Sequence, residues 1–498
     1  MPVEVLGFAA IPAWVIMLPL MFGAASFVAG PRLALSLGLL GSVATCALAI
    51  AIALAVWSAG PILHRVGGWG VPLGIELYAD GLSVLMLLMT GVVGVATSVY
   101  AAGCFAGHGS DVDTGRRFWS LWLLMWGGLN ALYLSTDIFN LYVALEVIGL
   151  AAVALVALGG RTAAVAAALR YLLVSLVGSF AYLLGVALLY AEYGALSFSG
   201  LTEVMVSAPA SWLAAGCMAG GLALKTALYP LHFWLPPAHA NALAPVSTLL
   251  SGLVVKASFY LLLRLWFGVF PVADQGGIAQ LFGLLGAAAI VGGSLAAMAQ
   301  QRLKLMVAYS TVAQIGYLFL LFPLISGPVV AATAYHGVVM HMLAHACAKA
   351  AMFMAAGNVF YALGHDRIAG IAAARRVLPV SMVAFALGGM SLIGLPPSGG
   401  FVAKWLLLTA ALEGGVWWCA VIVVAGGVLA AGYVFRVVQQ MFLQQVTDAA
   451  GVATPNLRVV WFMEFVPLLL AVLALLMGLV ASPVFGLLET GVVVRAGR

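Results

Sequence analysis

A helical membrane span needs about 20 apolar residues. About fourteen stretches of this sequence meet that need: roughly 10–29, 33–57, 80–104, 117–135, 138–159, 166–191, 209–230, 243–268, 277–298, 304–325, 329–360, 377–415, 417–443 and 459–482. Backbone that crosses a bilayer must satisfy its own hydrogen bonds, so segments of this length are helices. Only 7% of the 498 residues are charged, against about 25% in a soluble domain. The loops are short and no low-complexity linker divides them. The fold class is therefore an all-α polytopic membrane protein, read as a single membrane domain over 1–498. The N-terminal run MPVEVLGFAAIPAWVIMLPL lacks a basic start and reads as a retained first span, not a cleaved signal. A net charge of +5, spread along the chain, offers no nucleic-acid patch. Cys46, Cys104, Cys217, Cys347 and Cys419 stand alone in apolar stretches, with no zinc or iron–sulfur spacing, and read as small core residues.

Against that background the five lysines stand out. Lys225, Lys256, Lys349 and Lys404 lie in apolar segments, whereas Lys304, in QQRLKLM, has the setting of a helix-end lysine. A charge near the centre of a membrane helix costs about 3 kcal/mol on insertion scales, and such residues usually face the bundle interior and do work there. Glu146, in FNLYVALEVIGLAAVALV, adds a carboxylate at similar depth.

Two spans are irregular. The seventh ends in LKTALYPLHFWLPP, where Pro230 removes the helical partner of the Thr226 carbonyl close to Lys225. The twelfth, 377–415, would be about 58 Å long at 1.5 Å per residue. It is interrupted by Leu395-Pro396-Pro397-Ser398-Gly399-Gly400, one turn before Lys404. Irregular backbone at membrane depth needs protein or a polar cavity around it. Two broken helices, each beside a lysine and one in each half of the chain, form the pattern of inverted repeats around a transport path.

The polar positions divide by what they can do. Burial lowers a lysine pKa and a nearby carboxylate raises it, so a Glu146–Lys225 pair can act as a proton switch or stand as a static ion pair. Lys256 has no acid in its span, which suits either a relay or a side chain reaching for the interface. His341, His345 and Lys349 recur every four residues and line one stripe of the eleventh span; histidine carries protons near neutral pH. No third ligand accompanies the two histidines, so no metal site is assigned. His336 lies on another face and reads as structural. His232 and His239, in PLHFWLPPAHANA, either hold that loop or guard a mouth of the path. Asp80 and Asp137 begin helices, where an acid suits the dipole. Arg170 is either an interfacial anchor or a charge partner inside the bundle.

Arg32, Arg116, Arg117, Arg161, Arg302, Lys304, Arg367, Arg375, Arg376 and Arg458 share one side if the spans alternate. Glu76, Asp137, Glu192, Glu203 and Asp274 share the other, with Arg65, Arg495 and Arg498 as exceptions. Positive loops mark the cytoplasmic side, so both termini face away from the cytoplasm in a cytoplasmic (inner) membrane of bacterial or archaeal type.

The runs KTALYPLHFWLPPAHANALAPVSTLLSGLVVK, RLKLMVAYSTVAQIGY, HMLAHACAKAAMFMAAGNV and GLPPSGGFVAKW resemble the antiporter-like proton-channel subunits of respiratory complex I, membrane-bound hydrogenases and Mrp cation/proton antiporters. The resemblance covers about residues 75–445. It implies fourteen core helices with inverted five-helix repeats at helices 4–8 and 9–13. In this chain 1–110 would hold helices 1–3, 111–270 the first repeat, 271–445 the second and 446–498 the last helix. It implies a relay of Glu146, Lys225, Lys256, His341, His345 and Lys404, with entry from the cytoplasm near Lys256, storage on Lys225 and release outward near Lys404. The stretch LYVALEVIGLAAVALV lacks the serines that many members carry after the glutamate.

The resemblance makes the chain a proton-translocating subunit among other membrane subunits of a complex I-like, hydrogenase-like or Mrp-type assembly. It would have no cofactor or redox chemistry of its own; protons are the cargo, with sodium the other candidate ion. The alternative is a membrane subunit that energises uptake of a small solute such as inorganic carbon beside a zinc-containing partner. Single-cysteine labelling in intact cells is expected to place both termini outside and the Arg375–Arg376 loop inside; labelling of that loop from the outer face would overturn the span count.

Overall fold

The computed structural model describes residues 10–71, 74–106, 112–270, 276–325, 327–442 and 459–491. Asp274, Arg458, Arg495, Arg498 and both chain ends lie outside the described residues. The chain opens with α1 (Ile11–Val28) and α2 (Pro31–Ala59), followed by a hairpin of β1 (Ile62–Arg65) and β2 (Glu76–Ala79). Next come α3 (Gly81–Ala106), α4 (Val112–Leu134), α5 (Ile138–Ala157), α6 (Thr162–Tyr193), the short α7 (Phe198–Val204), α8 (Pro209–Thr226) and α9 (Leu235–Asn241). A π-turn (Leu250–Val254) joins α10 (Ala244–Leu249) to α11 (Val255–Gly268). The second half holds α12 (Gly276–Ala299), α13 (Leu303–Phe319), α14 (Pro328–Leu363), α15 (Ala374–Val377), α16 (Pro379–Ile393), α17 (Gly399–Glu413), α18 (Trp417–Phe442), α19 (Trp461–Leu479) and α20 (Ser482–Leu488).

Every apolar stretch of the sequence falls on a helix or a consecutive set of helices, and the protein is a helical multi-pass membrane protein. Eleven helices among the described residues are long and apolar enough to cross a membrane. Of the fourteen stretches, 117–135 and 209–230 do not meet that measure, and 377–415 is two helices of 15 residues, α16 and α17. The all-α expectation needs one correction: the 62–79 loop forms an antiparallel ladder from Ile62↔Ala79 to Arg65↔Glu76. Short alternating runs, ILHR and ELYA, satisfy each other's backbone there.

Burial separates centre from rim. The most apolar 18 residues of Ala244–Gly268 and of α14 are 100% buried, against 28% for α1 and 33% for α18 and α19. Leu, Val, Phe and Trp side chains such as Leu54, Val177, Trp417 and Leu469 cover the rim helices, as a lipid-facing surface requires. Lys256, His341, His345 and Lys349 therefore lie on the most buried helices.

Loops assigned to one side by charge do meet. Arg302 bridges Arg367, and Arg161 donates to the Asn241 carbonyl. At the other end Leu77 bridges Ser135, Asp137 bridges Ser197, and the Gly81 N–H donates to the Thr490 carbonyl.

Asp80 fastens that second end. It caps α3 by accepting the Ser83 N–H at 3.0 Å, and it takes a two-pronged contact from Arg264 of α11 at 2.5 and 2.6 Å. Arg264 Nε also donates to the Tyr260 hydroxyl, which donates to the Tyr133 carbonyl. Burial pushes the Asp80 carboxyl up, but the Arg264 charge and the hydrogen bonds from Arg264 and Ser83 together hold it below its ordinary value. A depressed carboxyl contributes stability that is full above its unfolded pKa, near 3.9, and is lost as pH falls through the folded value. Asp80→Asn leaves a mostly buried arginine unpaired and is expected to destabilise the protein by about 3 kcal/mol. Thermal unfolding in detergent checks this: the deficit relative to wild type should be present at pH 7 and shrink below about pH 4.

Candidate functional site: a buried lysine–histidine line

The first break is built around Lys225. Helix α8 stops at Thr226 because Ala227 adopts a left-handed conformation (φ 61°), and the Leu228 N–H closes back on the Ala223 carbonyl. Lys225 thus occupies the last turn, where the negative end of the helix dipole favours a cation. Its ammonium lies 3.6 Å from Glu146 Oε1 of α5 and donates to Ser175 Oγ of α6 at 3.0 Å. Ser179, one turn on in α6, donates to the same Glu146 oxygen. The α5 stretch has no serines of its own; α6 supplies them. Gly178 makes room, since a Cβ there would come within 3.1 Å of Lys225 Cγ and 2.9 Å of the Gly221 carbonyl. The lysine side chain is 6% exposed and the glutamate 21%. A cavity of about 20 Å³, lined by Lys225, Gly149, Ser175 and Trp234 and by Ser258 of α11 among others, lies beside the lysine; it holds about one water.

The second break holds Lys404 by the same physics through a different connection. Helix α16 ends at Ile393, closed by Gly394 at φ 87° and by Gly394 and Leu395 N–H groups on the Met390 carbonyl. Ser398 restarts the chain as the N-cap of α17 by accepting the Phe401 N–H. Lys404 reaches back across the gap and donates to the freed carbonyls of Leu392 (2.6 Å) and Ile393 (3.0 Å). A side chain at 394 would meet both the positive φ and Lys404 Cδ at 2.8 Å. The freed carbonyls hold the ammonium itself, and the Tyr317 ring lies under it at 4.5 Å.

Lys256, Lys349, His345 and His341 occupy the centre. Lys256 and Lys349 are 0% exposed, so neither reaches for an interface. Lys256 donates to the Ser251 carbonyl in the π-turn just before it. Lys349 donates to the Val307 carbonyl at 2.9 Å and to Ser310 Oγ on α13. The His341 and His345 rings stack at 5.6 Å, and His341 Nε2 bonds the Gln314 carbonyl at 3.1 Å. Among the described residues His341 Nδ1 and His345 Nε2 have no partner.

The accessory positions sort plainly. Asp137 caps α5, accepting the Phe139 and Asn140 N–H groups at 2.9 and 2.8 Å. Asp80 caps and pairs, outside the line. Arg170 is exposed on α6 with no hydrogen bond or ion pair among the described residues, so the bundle-interior reading does not hold. His232 stacks on Tyr229 in the break, and His336 faces Glu489 at 3.6 Å. His239 is buried against Phe353, with both ring nitrogens unpartnered. Lys304 does begin α13, but it is 6% exposed and donates to the Ala242 carbonyl at 2.5 Å. Arg302 and Arg161 donate to the Ala240 and Asn241 carbonyls, so three cations cap the end of α9. Sequence reasoning missed Ser175, Ser179, Arg264 and Tyr317; the i, i+4 spacing of the two serines was the available signal.

A family model described as NADH:quinone oxidoreductase/Mrp antiporter, transmembrane, matches residues 135–430. The chain belongs to this family. It is 38% identical over 400 residues to NADH-quinone oxidoreductase subunit N of Desulforudis audaxviator (strain MP104C), covering 80% of this chain and 78% of that one. It is 27% identical over 446 residues to a Na(+)/H(+) antiporter subunit of Alkalihalophilus pseudofirmus (strain ATCC BAA-2126 / JCM 17055 / OF4), covering 88% and 86%. Among solved structures, a chain of the membrane-bound sulfane sulfur reductase, an archaeal respiratory membrane complex, matches with a TM-score of 0.87 at 27% identity, over 96% of both chains. The chain is thus an antiporter-like subunit of the complex I and Mrp family, and these relatives do not favour the solute-uptake alternative.

In an antiporter-like subunit the Glu146 charge, rather than its shape, should matter. Glu146→Gln keeps the size and a Ser179 partner but removes the charge beside Lys225. It is expected to lower ion flux about tenfold or more, the scale of a one-unit change in lysine proton affinity, with Glu146→Asp less affected. Equal proton uptake by vesicles carrying Glu146→Gln and wild type would make the pair structural.

Proposed function

We propose that this chain moves protons across a cytoplasmic membrane as one of several membrane subunits of an ion-pumping complex. The observation that carries the reading is the line of buried basic groups from Glu146–Lys225 through Lys256, Lys349, His345 and His341 to Lys404, with a half-helix end at each terminus of the line. A buried ion pair adds little stability over apolar packing, so a structural role alone gives this line no reason to exist.

With Glu146 near, the Lys225 ammonium is stabilised; with the carboxylate turned away, it keeps only Ser175 and the helix end. The proton, taken in near Lys256 and stored on Lys225, then leaves toward the central histidines. His345 and His341 each present a free ring nitrogen that can take it on. Lys404 receives it last, against two backbone carbonyls. Fourteen spans, with spans 4–8 and 9–13 as inverted repeats and segments 1–110, 111–270, 271–445 and 446–498, fit this path. So does a topology with the arginine-rich loops in the cytoplasm and both termini outside. Entry is from the cytoplasm near Lys256 and release is outward at Lys404, with sodium as the ion exchanged where the assembly is antiporter-like. Redox chemistry, where there is any, belongs to partner subunits.

The purified complex, reconstituted in proteoliposomes, tests the path at both ends. Lys225→Ala is expected to assemble and lose proton flux. Lys404→Arg should fold and assemble yet conduct poorly, because arginine, with a pKa above about 12, cannot give its proton up. Wild-type flux from the arginine variant would move the exit elsewhere; wild-type flux from Lys225→Ala would end the relay reading.

A further inference from the structure

Lys225 and Lys404 sit at comparable breaks but differ in what faces their charge. Lys225 has a carboxylate at 3.6 Å. Among the described residues no carboxylate forms an ion pair with Lys404, whose ammonium meets backbone carbonyls; Glu413 on its own helix is exposed at the far end. The titratable groups around it are Tyr317 of α13 under the ammonium, His341 of α14 beyond that ring with His345 stacked on it, and, behind Gln314, Tyr433 of α18. Helix α16 contributes only its two carbonyls.

The Tyr317 ring fills the remaining side. Its centroid is 4.5 Å from the ammonium nitrogen, within the range in which a ring face attracts a cation, and both side chains are buried. The ring is held in place. Its hydroxyl donates to the Val423 carbonyl at 3.4 Å, and a Cβ at Gly426 would strike that hydroxyl. Its other neighbour is the His341 ring, 5.3 Å away. The same aromatic plate therefore touches the last histidine and the final lysine.

We propose that Tyr317 is the positioning residue that sets the proton affinity of Lys404, its ring face taking the part that Glu146 takes for Lys225. A carboxylate can swing away from its lysine. A ring wedged between α14, α17 and α18 cannot, so Lys404 keeps one affinity through the cycle while Lys225 alternates between two. The ring also biases the last transfer, since it attracts the proton's charge on the Lys404 side.

This inference rests on the proton-relay reading, and the experiment separates the two. Proton flux through the reconstituted complex is measured from about pH 5 to 9, the range flanking unperturbed histidine, for wild type, Lys225→Ala, Tyr317→Leu, Tyr317→Phe and Tyr317→Trp. Tyr317→Leu is expected to lower the midpoint of the flux–pH profile by about one unit, equivalent to about 1.4 kcal/mol. Tyr317→Phe should restore the wild-type midpoint and Tyr317→Trp should raise it, because tryptophan presents the strongest face. Equal shifts in the Leu and Phe variants would assign the effect to the hydroxyl and overturn the proposal, as would three unshifted profiles. If the Leu variant fails to assemble, the Trp variant decides: a midpoint that does not rise overturns it. Wild-type flux in Lys225→Ala would instead remove the relay reading itself.

Discussion

An ammonium deprived of water must find oxygen atoms or a helix dipole, and in this chain helix ends repeatedly supply one or the other. The last carbonyls of a helix lack intrahelical partners and carry the negative end of its dipole. Lys225 lies in the final turn of α8. Lys404 comes from the next helix and reaches the final carbonyls of α16. Arg161, Arg302 and Lys304 gather on carbonyls 240–242 at the end of α9. One device, a cation on a helix C-terminus, serves in all three places, twice inside the bundle and once at its arginine-rich end. Breaking a span costs hydrogen bonds; at the second break Lys404 offsets that cost by taking up the released carbonyls, and at the first Trp234 Nε1 takes the Leu224 carbonyl.

The two internal sites then differ in what can move. At Lys225 one oxygen partner belongs to a glutamate on a neighbouring helix, tied down among the described residues by Ser179 alone. Rotation about side-chain bonds is enough to change that site. At Lys404 the oxygens are backbone, fixed by Gly394 and by the N–H bonds that close α16. Changing that site requires moving a half-helix. A relay with one adaptable end and one rigid end has a built-in asymmetry even though the breaks resemble each other.

The sequence was most legible where the energetic penalty is largest. A lysine or glutamate inside an apolar span, and a proline run inside a helix, are so costly in a bilayer that each announces a local environment, and both breaks lie where their prolines put them. Apart from the Glu146–Lys225 pair, which joins two helices, the groups legible together were those on one helix, as with His341, His345 and Lys349. Arg264 meets Asp80 from far along the chain, and Ser175 and Ser179 meet Lys225 and Glu146 across helix faces. Those contacts follow from which helices pack together, which no local pattern states. Lys304 looked like an ordinary helix-end lysine because nothing in QQRLKLM says that the end of α9 lies over it. The hairpin at 62–79 was hidden for a related reason: four-residue strands carry too little period to register between two long apolar spans.

The α14 stripe shows how much rests on helix register. Residues four apart in a helix are rotated by about 40°, so from His341 to Lys349 the stripe turns by about 80° around α14. That drift is why Lys349 bonds Val307 and Ser310 on α13 while His341, two turns earlier, bonds Gln314 and contacts the ring of Tyr317. The contacts run antiparallel: as the α14 number falls from 349 to 341, the α13 number rises from 307 and 310 to 314 and 317. The α14 helix runs unbroken for 36 residues, whereas the spans that carry Lys225 and Lys404 are broken. A slip of one residue in α14 would rotate the stripe by about 100° and point the histidines away from α13. The broken helices supply the exposed carbonyls, and the intact one keeps the groups between them in line.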